Sequence, residues 1–342
     1  MMQQNTEQLY QFDPIDPPPN KKGKKGLKIW ILIIIGIILL GILISSVGCN
    51  IITDKDKIKP TGPYIGALYV DGVIASDNRD NWGLPYGYQH KFTLEAIDDM
   101  IKDSKNKGLI LFVNSPGGGV YESDELYFKL KEYKDATKRP IYAYMASMAA
   151  SGGYYISTPA DKILANRNCW TGSIGVTIGT LFDVSDFLKN YGIKTETITS
   201  GKNKAMGSLV DPLTEDQKAI FQSLVDESYE QFVSIVSEER NIDLEATKKL
   251  ADGRIYTAKQ ALALGLIDNI CSSDDAVKDM MKTYKLKDCE LYDIQYEDNS
   301  FISQLFSKVH LPNLPKSEAE SVLSLIENDV EFPISYMCEM LN

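Results

Sequence analysis

Histidine is almost absent: the 342 residues hold only His90 and His310. Hydrolases with a serine nucleophile commonly take their base from a His that a carboxylate orients, so this scarcity argues against a Ser-His-Asp arrangement. His90 lies in a loop-like stretch and His310 in a weakly patterned C-terminal region. Neither follows a strand end or a Gly-rich turn, and both read as solvated or packing side chains. Cysteine is sparse as well. Cys49, Cys169, Cys271, Cys289 and Cys338 are scattered and form no C-x-x-C pair. That excludes a zinc knuckle and a disulfide framework, and the thiols read as buried and inert. Neither G-x-G-x-x-G nor G-x-x-x-x-G-K-[ST] occurs, so Gly117-Gly118-Gly119 does not read as a phosphate cradle. No metal and no cofactor is expected.

Positive charge is lacking over most of the chain. The net charge is −11. Residues 1–28 carry Lys21, Lys22, Lys24, Lys25 and Lys28 against Glu7, Asp13 and Asp16, so everything after them is more acidic still. Phosphate contacts need a basic surface, and a nucleic-acid partner is excluded on that ground.

Ile29 to Val47, by contrast, holds no charge at all and is mostly Ile and Leu. At about 1.5 Å per residue such a run nearly matches a hydrocarbon core of about 30 Å. Residues 29–48 are therefore expected to be a transmembrane anchor. The Lys cluster just before them places the N-terminus in the cytoplasm and the body on the extracytoplasmic side. Ser45-Ser46-Val47-Gly48-Cys49 offers small residues and a lipobox-like Gly-Cys, but Ser46 stands where a lipobox usually has Leu, which favours an uncleaved anchor over a lipoprotein. Residues 1–28 read as a disordered cytoplasmic tail, 49–63 as a linker, 64–275 as the folded enzyme domain and 276–342 as a partly irregular C-terminal extension.

Along the body, apolar runs alternate with helical patterns. Strands are expected at Tyr64–Val70, Gly108–Val113, Pro140–Ala146, Asp161–Ala165, Ile174–Ile178 and Lys194–Thr199. Helices are expected around Leu94–Ile101, Val120–Tyr133, Val184–Tyr191, Thr214–Glu239 with Ile220, Leu224, Tyr229, Phe232 and Ile235 toward the core, Leu244–Leu250 and Ala258–Leu264. This alternation implies an α/β fold with largely parallel strands.

Two stretches carry the chemistry. In Met145-Ala146-Ser147-Met148-Ala149-Ala150-Ser151-Gly152-Gly153 an apolar run ends in small residues, a Ser and two Gly. A sharp turn there presents a serine nucleophile. Ser147 is the rival, still inside the run and not followed by Gly. The second stretch, Asn114-Ser115-Pro116-Gly117-Gly118-Gly119, also closes an apolar run. Two such turns suggest a nucleophile and an oxyanion hole facing each other. Without His, a desolvated lysine is the candidate base. Ser200-Gly201-Lys202-Asn203-Lys204 offers two, of which Lys204, beside Ala205 and Met206, is the more apolar in setting. Ser104-Lys105-Asn106-Lys107 and Ser76-Asp77-Asn78 mimic penicillin-recognising motifs, but in the wrong order and without K-T-G.

These turns, with Thr171-Gly172-Ser173-Ile174-Gly175-Val176, Ser200-Gly201-x-x-Lys204, Asp252-Gly253-Arg254-Ile255-Tyr256-Thr257-Ala258 and Gly265-Leu266-Ile267-Asp268, resemble the bacterial signal peptide peptidase A family in its short, single-domain form. The resemblance runs from about Tyr64 to Asp268. It implies the spiral of β-β-α units shared by Clp protease and the crotonases. It implies a membrane-anchored serine endopeptidase with a Ser-Lys dyad: Ser151 as nucleophile, Lys204 as general base, Ser173 orienting the lysine amine, and the N–H groups of Gly118 and Gly152 as the oxyanion hole. The implied substrates are remnant signal peptides and other unfolded or apolar peptides at the lipid bilayer. The implied assembly is a homo-oligomeric ring, a tetramer or octamer, whose contacts help complete each site. Alternatives are a related anchored protease cleaving membrane proteins, an inactive ring-forming scaffold, and an acyl-CoA enzyme of crotonase type.

Overall fold

The computed structural model describes residues 60–80, 83–296 and 335–337. The expected tail, anchor and most of the linker, with Cys49, His310 and Cys338, lie outside the described residues. Among the described residues no helix is long and apolar enough to cross a membrane.

The elements follow in order: β1 (Tyr64–Asp71), α1 (His90–Lys102), β2 (Asn106–Ser115), β3 (Gly117–Gly119), α2 (Val120–Thr137), β4 (Ile141–Ala150), α3 (Gly152–Tyr155), β5 (Lys162–Ala165) and β6 (Trp170–Gly172). Then come α4 (Ser185–Asn190), α5 (Glu215–Arg240), α6 (Leu244–Leu250), β7 (Ile255–Thr257), α7 (Ala258–Ala263), β8 (Asn269–Ile270), α8 (Ser273–Thr283), β9 (Glu290–Ile294) and β10 (Ser335–Met337). The main sheet runs β7-β6-β4-β2-β1-β9, with β5 also beside β4 and β8 beside β5. Its ladders are parallel except β6 with β7. The expected α/β class with a largely parallel sheet is thus what forms.

Central parallel strands are covered on both faces, which is why they read as unbroken apolar runs. In β2, Leu109, Leu111 and Val113 join one core cluster while Ile110 joins another. In β4, Ala143 and Met145 go with the first and Tyr142 and Tyr144 with the second. The period of two along each strand sends alternate residues to opposite faces.

Helix starts are set by local chemistry. Thr214 and Gln217 form a capping box on α5, and Thr257 and Gln260 another on α7. Asn241 ends α5 at φ 51°, where a short polar side chain tolerates the left-handed turn. The core side of α5 is Phe232, Val233 and Val236. Leu224, expected in the core, is exposed.

Two expected strands do not form. Ile174–Ile178 gives way to the shorter β6 just upstream: Ile174 is buried, but its carbonyl accepts the Gly253 N–H at 3.1 Å from a turn, not a strand. Lys194–Thr199 has strand-like alternation, yet it is exposed and irregular. A strand needs a neighbour for its N–H and C=O groups, and among the described residues no neighbouring strand reaches this one.

Candidate active site

Ser151 stands at the C-terminal end of β4 with φ 54° and ψ −117°. A non-glycine residue there is strained by roughly 1–3 kcal/mol, and a strained strand-to-helix turn is how a serine is set apart from the backbone around it. The surroundings hold the turn in place. The Ser151 N–H donates to the Gly172 carbonyl at 2.8 Å, and the Ser151 carbonyl accepts the N–H groups of Tyr154 and Tyr155 at 2.9 Å. Ser151 is buried.

The Gly-rich turn faces it. Gly117 has φ 104°, a conformation open to Gly. Its N–H is accepted by Ser115 Oγ at 3.1 Å, and its carbonyl accepts the Ile74 N–H at 2.8 Å. The Gly119 N–H in turn donates to the Ile74 carbonyl at 2.8 Å. A Cβ on Gly117 would stand 2.7 Å from the Gly152 nitrogen, and one on Gly152 would stand 3.2 Å from the Gly118 nitrogen. The two turns therefore meet bare face to bare face, which any side chain at these positions would prevent.

A third segment lies on the same edge. Strand β10 pairs antiparallel with β3, Tyr336 opposite Gly118. A Cβ on Gly117 would overlap the Tyr336 carbonyl oxygen. The Tyr336 ring is fully buried, stacked on Tyr155 with centroids 4.9 Å apart and tilted against Phe232 at 4.8 Å. Its hydroxyl donates to the Ser228 carbonyl at 3.1 Å. Beneath it, the Tyr155 hydroxyl donates to Asp124 Oδ1 at 2.6 Å, and Gln231 Nε2 donates to the Tyr155 hydroxyl at 2.9 Å. Burial raises both phenols above their ordinary pKa. It raises the Asp124 carboxyl too, partly offset by the Tyr155 hydrogen bond.

Ser173 follows β6 at φ 49°, largely buried, with its N–H donated to the Arg254 carbonyl at 2.8 Å. Ala150 pairs with Gly172, so Ser151 and Ser173 leave adjoining strands side by side. Lys204 is different. It is exposed in the irregular segment after α4, its N–H donating to the Gly201 carbonyl at 3.0 Å. Among the described residues its ammonium makes no hydrogen bond or ion pair, with Ser151 or any other group. Lys202 is exposed and reaches Asp216 at 3.4 Å. Ser147, the rival nucleophile, is exposed on β4 and donates to Asn114 Oδ1 at 2.5 Å. His90 is buried packing: its ring meets the Tyr88 hydroxyl at 2.6 Å and Glu125 at 2.9 Å. Among the described residues no cluster of His, Cys, Asp and Glu is fit to hold a metal ion.

The profile of peptidase family S49 matches residues 133–287. A putative signal peptide peptidase SppA of Enterococcus faecium is 36% identical over 305 residues, covering 87% of this chain and 88% of that protein. The chain belongs to peptidase family S49. The resemblance drawn from the motifs is thereby upheld. A putative protease of Methanocaldococcus jannaschii is 34% identical over 280 residues, 80% of this chain and 88% of that protein. Protease 4 of Salmonella typhi is 32% identical over 231 residues, which are 68% of this chain but 36% of that longer protein. Within this S49 peptidase, Ser151, Ser173 and Lys204 all fall inside the matched region.

Two residues at the site escaped the sequence reading. Ser123 looks like an ordinary helix serine, and only the fold brings it against Gly152. Tyr336 belongs to a three-residue strand in a region of weak pattern, and no periodicity marks so short an element.

Proposed function

We propose that this S49 peptidase is a membrane-anchored serine endopeptidase that degrades remnant signal peptides. The observation that carries the reading is the strained Ser151 facing the Gly117–Gly118 turn. In this reading the Ser151 Oγ attacks the scissile carbonyl carbon as its proton passes to the Lys204 amine. The N–H groups of Gly118 and Gly152 hold the oxyanion; removing one such donor typically costs about 3 kcal/mol. The lysine then protonates the leaving amine, and a water, deprotonated in the same way, hydrolyses the acyl-serine ester. Ser173 steers the lysine amine.

A substrate is taken up as β10 is taken up, as an antiparallel strand on Gly117–Gly119, a mode that fits unfolded peptides of any sequence. The names of the relatives, signal peptide peptidase and protease, support the substrate class and the peptidase chemistry. The spiral of β-β-α units and the anchor at residues 29–48 belong to the same reading.

Lys204 reaches Ser151 from a second copy of the chain. Its own segment exposes Leu181, Phe182, Phe187, Tyr191, Ile193 and Ile198, the last 91% exposed. An apolar surface of that kind marks a contact face, and covering it with a neighbour in a ring would desolvate the lysine. Full-length protein in detergent, given a fluorogenic apolar peptide, tests the reading. Cleavage by the wild type and none by Ser151→Ala is expected. Equal cleavage by both, or by neither while the assembly is intact, would overturn it.

A further inference from the structure

We propose that the Ser123 hydroxyl is a third hydrogen-bond donor of the oxyanion pocket between Gly118 and Gly152. The proposal rests on the reading of Ser151 as nucleophile and deepens it.

Ser123 is fully buried. Among the described residues its Oγ is the one buried side-chain polar atom without a hydrogen-bond partner. A serine inside a helix ordinarily returns its hydroxyl to the carbonyl four residues back, which here is that of Gly119. Ser123 does not. Its neighbours have already satisfied one another: Ser115 Oγ takes the Gly117 N–H, and the Tyr155 hydroxyl goes to Asp124. A buried hydroxyl left unpaired destabilises the fold, and native proteins keep such groups mainly where function uses them.

Its position says what that use is. Ser123 lies in the first turn of α2, the helix that opens directly from Gly119. A Cβ on Gly152 would stand 2.6 Å from Ser123 Oγ and 3.2 Å from the Gly118 nitrogen. Ser123 Oγ and the Gly118 nitrogen therefore both lie against the same bare face of Gly152, the residue after the nucleophile. A serine hydroxyl has a proton to donate, and that of Ser123 has no acceptor among the described residues. A peptide carbonyl entering the pocket supplies one. As Ser151 adds to that carbonyl its oxygen takes on negative charge and becomes a much stronger acceptor, so the bond strengthens toward the transition state.

A donor of this kind is distinguishable from a packing residue. Ser123→Ala should lower kcat by about 100-fold while KM changes by less than about 3-fold. A peptide boronate, which adds to the nucleophile as a tetrahedral anion, should lose affinity by a factor similar to the loss in kcat. The melting temperature should stay level or rise, because an unpaired buried hydroxyl is gone. Ser123→Cys, similar in shape but a weak donor, should show the same kinetic loss and serves if the Ala variant misfolds. Unchanged kcat and boronate affinity in the folded variants would overturn the proposal, as would a fall in melting temperature with activity retained. A folded wild type that neither cleaves peptide nor binds the boronate would overturn the reading of Ser151, and this proposal with it.

Discussion

Ser151 and Ser173 leave adjoining parallel strands at the same level, and both carry a positive φ, 54° and 49°. The link between them is the bond from the Ser151 N–H to the Gly172 carbonyl, one residue before Ser173. Two strained serines side by side are more than the sheet needs, since a Gly at either place would be relaxed.

That strain predicts a split between stability and activity. Ser151→Gly should be more stable than Ser151→Ala by about 1 kcal/mol, read as a shift in the urea midpoint. Both should be inactive on peptide. Equal midpoints would mean that the turn is not strained.

The exposed Lys204 predicts complementation between chains. Ser151→Ala and Lys204→Ala should each be inactive alone. Mixed and reassembled, they should recover a readily measured fraction of wild-type turnover, because some sites then pair an intact serine with an intact lysine. No recovery from a mixed assembly would return the lysine to the serine's own chain.

Strand β10 predicts a competitor for the cleft. Truncating a buried aromatic typically costs 3 kcal/mol or more. Tyr336→Ala should therefore release the Gly117–Gly119 edge and raise kcat/KM on short peptides by at least about 10-fold, mostly through KM. A chain ending at residue 334 should behave alike. Unchanged KM in both would show that the edge is not where substrate binds.

Cys169 predicts a dependence on alkaline pH. Burial pushes its thiol up to about 12 from an ordinary value of 9.0. Above about pH 9 the unfolded chain loses this proton while the folded chain keeps it, so stability falls as pH rises from about 9 toward 12. Cys169→Ser should flatten that limb of the urea-unfolding curve. In the native protein at neutral pH, Cys169 should resist alkylation.

Much of this was legible beforehand, for identifiable reasons. The strands ending at Ser115 and Ala150 announced themselves because strands buried on both faces are unbroken apolar runs. The Gly-rich turn and Ser151-Gly152 stood out because close backbone approach leaves only glycine possible. The expected starts at Thr214 and Ala258 agree with the structure, where capping boxes at Thr214 and Thr257 begin the two helices. Lys194–Thr199 misled because alternation reports only that a residue has two faces, not that a neighbouring strand exists to pair with it. Leu224 misled for a related reason, since the apolar stripe of α5 runs on past the part its own chain covers. Lys204 could be named from its motif but not placed, and the partner for Ser123 Oγ is a matter of three-dimensional neighbours that no spacing encodes.

The pairing of β10 with β3 joins two parts of one molecule, so dilution does not weaken it. A segment of the same chain competes at an effective concentration that does not fall on dilution. Any incoming peptide has to outbid that standing occupant. The occupant raises KM by a constant factor, so sparse peptides are cut slowly while those crowded together at a surface approach full turnover.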